Sequence, residues 1–134
     1  MQSPAAEIGL ARASRTALVV RWIVSAHIGV LLLQLVLAIA AVAGAAVFHA
    51  HAMNARLVAA SGVLQAIGVL AVSSVRAGWF IKTMAFAVAV GESTQLYLGL
   101  GGGMALHVTL AMTVWALSLA IFIRAWAPGW TRED

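Results

Sequence analysis

The sequence contains no cysteine and very few charged residues. Its 134 residues include 8 Lys and Arg and 4 Asp and Glu, so that 9% are charged while 63% are hydrophobic. A soluble domain typically has about a quarter of its residues charged. The shortage of charge therefore excludes a water-soluble fold and a disordered chain. The lack of cysteine excludes disulfide scaffolds and thiolate metal sites. An integral membrane protein is the class that remains.

The positive net charge of +4 does not indicate a nucleic-acid partner. A nucleic-acid-binding surface gathers Lys and Arg on one solvated face. In this chain the basic residues instead stand at the ends of apolar runs. They are therefore interpreted as markers of membrane topology, and the expected surroundings are the lipid bilayer and other membrane subunits, or a second copy of the chain.

Four apolar runs predict four transmembrane helices, because about 20 apolar residues cross the hydrocarbon core. We predict these helices over residues 22–48, 57–75, 83–100 and 104–123. The turns between them are expected at 49–54, 76–82 and 99–103, and the four helices form a single domain over residues 1–134. Short connections make consecutive helices antiparallel neighbours. The predicted fold is therefore an all-α membrane protein, an up-down-up-down bundle of four transmembrane helices.

The distribution of Lys and Arg predicts the orientation of this bundle. Cytoplasmic loops of membrane proteins carry an excess of basic residues. With the N-terminus inside, the only basic residue on the outer side is Arg56, and seven lie inside: Arg12, Arg15, Arg21, Arg76, Lys82, Arg124 and Arg132. We therefore predict a multi-pass protein of the bacterial plasma membrane with both termini cytoplasmic.

Each predicted span carries one polar side chain near its centre: Gln34, Gln65, Glu92 and Thr113. Small residues accompany them at helical spacing, as in packed membrane helices. We predict that the four form one inward-facing polar layer. Burial disfavours the charged form of a carboxyl, so we expect Glu92 to be neutral at pH 7 and to donate to Gln34 or Gln65. Two interpretations stay open, a proton relay or cation-binding carboxyl and an interhelical hydrogen bond.

Four histidines suggest haem b, because two imidazoles on facing helices can hold iron. Counted from the span centres, His107 lies in the outer half of the bilayer and His27 in the inner half, where only Met84 could pair with it. The candidate haem ligands are therefore His107 with His51 or His49, and His27 remains a weak fourth candidate. The alternative is that His107 is a hydrogen-bonded core imidazole and that His49 and His51 lie in a solvated turn at the membrane interface.

Three segments resemble a family of small, uncharacterised bacterial four-helix integral membrane proteins: Leu33-Gln34-Leu35-Val36-Leu37-Ala38, Phe48-His49-Ala50-His51 and Ala105-Leu106-His107. That family has an Arg-rich start, a Gln in the first helix, a His at the entrance to the second helix and a Leu-His at the start of the fourth. The resemblance spans nearly the whole chain. It implies the four-helix fold and draws attention to His51 and His107 as positions that match the family pattern, but it implies no activity. A looser similarity connects the chain to four-helix haem-b membrane proteins.

Three function classes are compatible with these observations. The first is a non-catalytic accessory or assembly subunit of a larger membrane complex, of respiratory or redox type, which the small size and short loops favour. The second is a haem-b electron-transfer protein using His107 with His51 or His49. The third is a small transporter or proton relay using Glu92. An enzyme is not expected, because the sequence offers no carboxylate pair and no set of nucleophile, base and acid.

Overall fold

The computed structural model describes residues 4–73, 79–101 and 103–127, with side chains for residues 15–71, 79–99, 101 and 103–127. Over these ranges the chain forms four helices: α1 (Pro4–Val42), α2 (Phe48–Ser73), α3 (Trp79–Gly101) and α4 (Met104–Trp126). Helix α1 packs against α2 and α4, and α3 packs against the same two helices. The result is an all-α four-helix bundle.

Three of the described helices are long and apolar enough to cross a membrane. The qualifying segments are Arg15–Val42, Phe48–Ala71 and Met104–Trp126. Helix α3 has a comparable length of 23 residues, but four consecutive polar residues from Glu92 to Gln95 lower its hydropathy. The prediction of four helices is thus confirmed, and three of them have the length and apolar composition of a membrane span.

The turn between α1 and α2 differs from the prediction. Helix α1 ends at Val42 and α2 begins at Phe48, so residues 49–54 form the first turns of α2 and not a loop. The reason is Gly44, whose φ of 87° lies in the left-handed region that favours glycine. The N–H of Gly44 donates to Ala41 O and the N–H of Ala45 donates to Ala40 O, which is the hydrogen-bond pattern of a Schellman helix end.

The start of α1 lies far from the predicted bound, whereas the described bounds of α3 and α4 lie within four residues of the predicted ones. Helix α1 begins at Pro4 and not at residue 22, α3 begins at Trp79, and α4 extends to Trp126. The basic residues Arg76 and Arg132, used to predict orientation, lie outside the described residues, as does the side chain of Arg12.

Apolar side chains from all four helices form one buried core. This main apolar cluster consists of Ala17, Val20, Val24, Ala66, Val69, Ile81, Met84, Ala85, Val88, Val114, Ile121 and Ala125. Leu31 and Val58 are also buried but do not belong to it. The outer faces of the bundle are apolar as well, with exposed side chains such as Val36, Ile39 and Ile67. Such a surface is suited to lipid.

Candidate functional site

A histidine and a glutamate meet in the interior of the bundle. Nε2 of His27 in α1 lies 3.0 Å from Oε1 of Glu92 in α3. The two residues are 0% and 2% exposed, respectively. Buried ionisable groups are rare unless they are paired, and within a membrane they mark functional positions. This contact is the centre of the candidate site.

Two serines complete the surroundings of the imidazole. Oγ of Ser61 in α2 lies 2.9 Å from His27 Nδ1, and Oγ of Ser118 in α4 lies 3.4 Å from His27 Nε2. Each of the four helices therefore contributes one polar side chain. The packing of the whole bundle is needed to assemble the site.

The contacts of Ser61 identify which nitrogen of His27 carries a proton. The hydroxyl of Ser61 donates to Val58 O over 2.9 Å. A hydroxyl has only one hydrogen, so Ser61 accepts from His27, and Nδ1 must be the donor. In the neutral imidazole Nε2 is then an acceptor. The 3.0 Å approach of Nε2 to Glu92 Oε1 is attractive only if a proton is present on Nε2 or on the carboxyl group.

Although Oε1 lies 3.0 Å from His27 Nε2, neither oxygen of the carboxyl group has a hydrogen bond of good geometry among the described residues. Its Oε2 instead packs against the backbone of Gly62, where an added Cβ would overlap this oxygen. One turn along α2, Gln65 is fully buried, and neither its amide nitrogen nor its amide oxygen has a partner in the described part of the chain. The absence of a side chain at Gly62 thus leaves the space that the Glu92 carboxyl group occupies.

A second polar cluster lies nearer the turn between α1 and α2 and consists of Gln34, His51 and Asn54. The amide of Gln34 donates to His51 Nε2 over 3.3 Å. Asn54 Nδ2 donates to Gln34 Oε1 over 2.8 Å and to Val30 O over 3.1 Å. Two buried atoms of this cluster, His51 Nδ1 and Asn54 Oδ1, have no partner among the described residues.

The four residues predicted as one polar layer occupy different surroundings. Gln34 belongs to the second polar cluster, and Gln65 has no polar partner among the described residues. Thr113 is exposed, and its hydroxyl donates to Thr109 O of its own helix. The expected bond from Glu92 to Gln34 or Gln65 is not formed, because Glu92 meets His27. Helix α1 ends six residues before its predicted bound, so the true centre of the helix lies closer to His27. His27 is therefore nearer the middle of the bundle than the prediction, which placed it in the inner half of the bilayer.

The candidate haem ligands are held by separate partners. His107 Nδ1 lies 3.2 Å from Gln95 O, and an added Cβ at Gly99 would come within 3.2 Å of the His107 ring. His49 is exposed, while His51 uses Nε2 for Gln34. The described residues contain no group of three His, Asp or Glu placed to hold a metal ion. Haem binding receives no support from these contacts and stays a prediction.

The sequence suggests His27 only as a weak haem candidate and does not single out Ser61 or Ser118, yet the positions of these three residues share a detectable signal. His27 lies 15 residues before the end of α1, Ser61 lies 13 after the start of α2, and Ser118 lies 14 after the start of α4. Counting from the connecting turns therefore places these three side chains at one depth, whereas counting from the centres of apolar runs does not. No protein family, no curated protein and no solved structure matches the chain. Function must accordingly be argued from the site itself.

Proposed function

We propose that this chain is a small membrane protein that binds and releases a proton at the His27–Glu92 pair, as a proton relay or proton-coupled transporter. The observation that carries the proposal is the 3.0 Å contact between His27 Nε2 and Glu92 Oε1, in a site where Nδ1 already donates to Ser61. This arrangement holds one proton between two bases of different chemistry.

Loss of that proton would change the forces inside the site. A neutral imidazole would then direct its Nε2 lone pair at a carboxylate oxygen, and the contact would become repulsive at low dielectric. The two groups must move apart, or water must enter between them. Because all four helices contribute to the site, proton occupancy is coupled to the packing of the bundle. A transporter needs such a coupling between a bound ion and helix positions.

The proposal includes the topology of the chain. At one end of the bundle Arg21 Nε donates to Ala125 O over 2.9 Å, and the Arg21 guanidinium lies 5.4 Å from the Trp126 ring. Elsewhere Gln34 meets His51, and Gln95 donates to His107 O. These contacts support antiparallel neighbours in an up-down-up-down bundle. The excess of Lys and Arg supports cytoplasmic termini in a bacterial plasma membrane.

The direct test is an infrared pH titration of the purified protein in lipid. We expect a carboxyl band of Glu92 that changes between pH 5 and 9 and is absent in Glu92→Gln. Removal of the imidazole partner in His27→Gln is expected to move the midpoint of this titration. The matched control is His49→Gln, which also removes one imidazole but at an exposed position. The midpoint should be unchanged there.

The same variants test proton movement in liposomes with an internal pH dye. The proposal expects proton flux in the wild-type chain and its loss in Glu92→Gln, with flux retained in His49→Gln. A Glu92 band that does not titrate between pH 5 and 9, or equal flux in all three proteins, would contradict it.

An accessory subunit of a larger membrane complex is a second candidate, supported by one face of α4. The buried residues of α4 are Val114, Ser118, Ile121 and Ala125, so Thr113 does not face inward as predicted. Thr113 belongs instead to an exposed face of small residues: Ala105, Thr109, Thr113, Ala116 and Ala120. Small residues allow close approach of a second transmembrane helix, so this face fits a helix of a partner subunit.

Site-specific photocrosslinking in the native membrane tests the second candidate. A photoreactive residue at Thr113 should give one crosslinked product of defined mass that Ala116→Leu removes. The same residue at Leu119, an exposed position off this small-residue face, should not give that product. Identical patterns at the two positions would indicate lipid contact and contradict a partner helix.

A further inference from the structure

We propose that water reaches the His27–Glu92 pair from one end only, the end at which α1 joins α2. In this inference the second polar cluster is a hydrated entrance, and Leu31 and Val58 form the barrier between this entrance and the pair. The opposite half of the bundle is closed to water from the other end by several layers of apolar side chains. The inference rests on the proposed function, because it names the route by which the proton of that site exchanges with water.

The entrance is identified by unpartnered polar atoms in a cluster that reaches the surface of the bundle, whereas the unpartnered amide of Gln65 is fully buried. His51 Nδ1 and Asn54 Oδ1 are buried without a partner among the described residues. Buried polar atoms in proteins are almost always hydrogen-bonded, to protein or to ordered water. Gln34 and His51 are only partly buried, so the cluster joins the bundle interior to its surface. Water is therefore the fitting partner for both atoms.

The barrier consists of one buried side chain from each of two helices. Leu31 follows His27 by one turn of α1 and precedes Gln34, and Val58 lies between Asn54 and Ser61 in α2. Their exposures are 4% and 7%, and neither belongs to the main apolar cluster. Val114 of α4 lies at a similar depth and joins this layer to the main apolar cluster. A single apolar layer is thin enough for local opening to admit water.

The opposite half of the bundle is expected to be much less permeable to water, because its interior consists almost entirely of apolar side chains. Each helix carries one residue of the site: His27, Ser61, Glu92 or Ser118. Eleven members of the main apolar cluster lie farther from the α1–α2 turn than the site residue of the same helix, and Val114 is the exception. Among the described residues, Gln65 is the one buried polar side chain in that half. Several successive apolar layers would have to open before water could pass. Because one apolar layer opens more readily than several, water is expected to reach the pair from the α1–α2 end.

Cysteine labelling can measure this difference, because the chain has no cysteine of its own. Single variants of the full chain in detergent micelles are treated with a charged, water-soluble methanethiosulfonate reagent. The matched pair in α2 is Val58→Cys and Ala66→Cys, on either side of Ser61 and both 7% exposed in the native chain. The pair in α1 is Leu31→Cys and Val24→Cys, on either side of His27. Equal labelling of all four in SDS shows that each thiol is present and reactive.

We expect Val58→Cys and Leu31→Cys to react at least about tenfold faster than their partners, because labelling of a buried group follows the population of the open state. If one variant fails to fold, as judged by gel filtration, the other pair decides. Equal rates within the folded pairs, faster labelling at Ala66→Cys or Val24→Cys, or no labelling at any of the four would overturn the inference. The readout does not depend on proton binding, so a Glu92 that fails to titrate overturns the proposed function without altering this result.

Discussion

The two halves of the bundle, on either side of the His27–Glu92 pair, are built differently. Towards the α1–α2 turn the interior holds a hydrogen-bonded cluster in which Asn54 donates to both Gln34 and Val30. Towards the other end it holds the main apolar cluster, within which Gln65 has no polar partner in the described chain. We therefore infer that water enters the first half at a lower free-energy cost than the second.

This difference explains how a carboxyl can be kept in a bundle of such low charge content. A buried ionisable pair is stabilised only if both partners are present and correctly placed. The apolar half fixes the helix positions through packing, which places His27 opposite Glu92. In the proposed route, the proton leaves the pair through the polar half. Substitutions that act on one half should therefore change stability and proton binding to different extents.

The largest effect is expected when the pair itself is broken. His27→Ala leaves Glu92 without its partner and removes the contacts to Ser61 and Ser118, and loss of one member of a buried pair costs about 3–5 kcal/mol. The measurement is the free energy of unfolding in mixed detergent and SDS micelles. His49→Ala is the control, because an exposed substitution changes stability by less than about 0.5 kcal/mol. Equal effects of the two variants would show that the pair does not stabilise the bundle.

A smaller effect should follow from crowding the carboxyl. A Cβ at Gly62 would overlap Glu92 Oε2, so Gly62→Ala should displace the carboxyl from His27 at a cost of about 1–3 kcal/mol. Gly68→Ala is the matched control in the same helix. A Cβ added at Gly68 would lie 3.4 Å from its nearest neighbour, Ile23 Cδ1, which is an ordinary van der Waals contact. We expect Gly68→Ala to be neutral or stabilising, because alanine favours helix over glycine.

The infrared band of Glu92 provides the second measurement for this pair of variants. It should shift in Gly62→Ala and remain as in the wild type in Gly68→Ala. A Glu92 band that is the same in both variants would mean that the carboxyl does not depend on the space at Gly62.

The sequence predicted four helices correctly because length and hydropathy are local properties of the chain. It did not predict where α1 ends, because the decisive feature is the left-handed conformation of Gly44, one glycine among 12. That error moved the expected depth of His27 and hid its pairing with Glu92. The inward face of α4 was also mispredicted, since lipid and protein are both apolar surroundings and Thr113 can face either.

The smallest effect, and the sharpest comparison of the two halves, is expected from two substitutions to leucine in α2. Asn54→Leu removes the donor to Gln34 Oε1 and Val30 O, and loss of such a hydrogen bond costs about 0.5–1.5 kcal/mol. Gln65→Leu removes an amide that has no partner among the described residues. Replacing an unsatisfied polar group by an apolar one of similar shape is nearly neutral or stabilising.

The two leucine variants are compared by unfolding free energy under identical conditions. A stability of Gln65→Leu equal to or above that of the wild type would indicate that the apolar half is dry around Gln65. A loss as large as that of Asn54→Leu would instead show that Gln65 is hydrogen-bonded to water in the native protein. In that case the apolar half would also be hydrated, and the difference between the two halves would not extend to their solvent content.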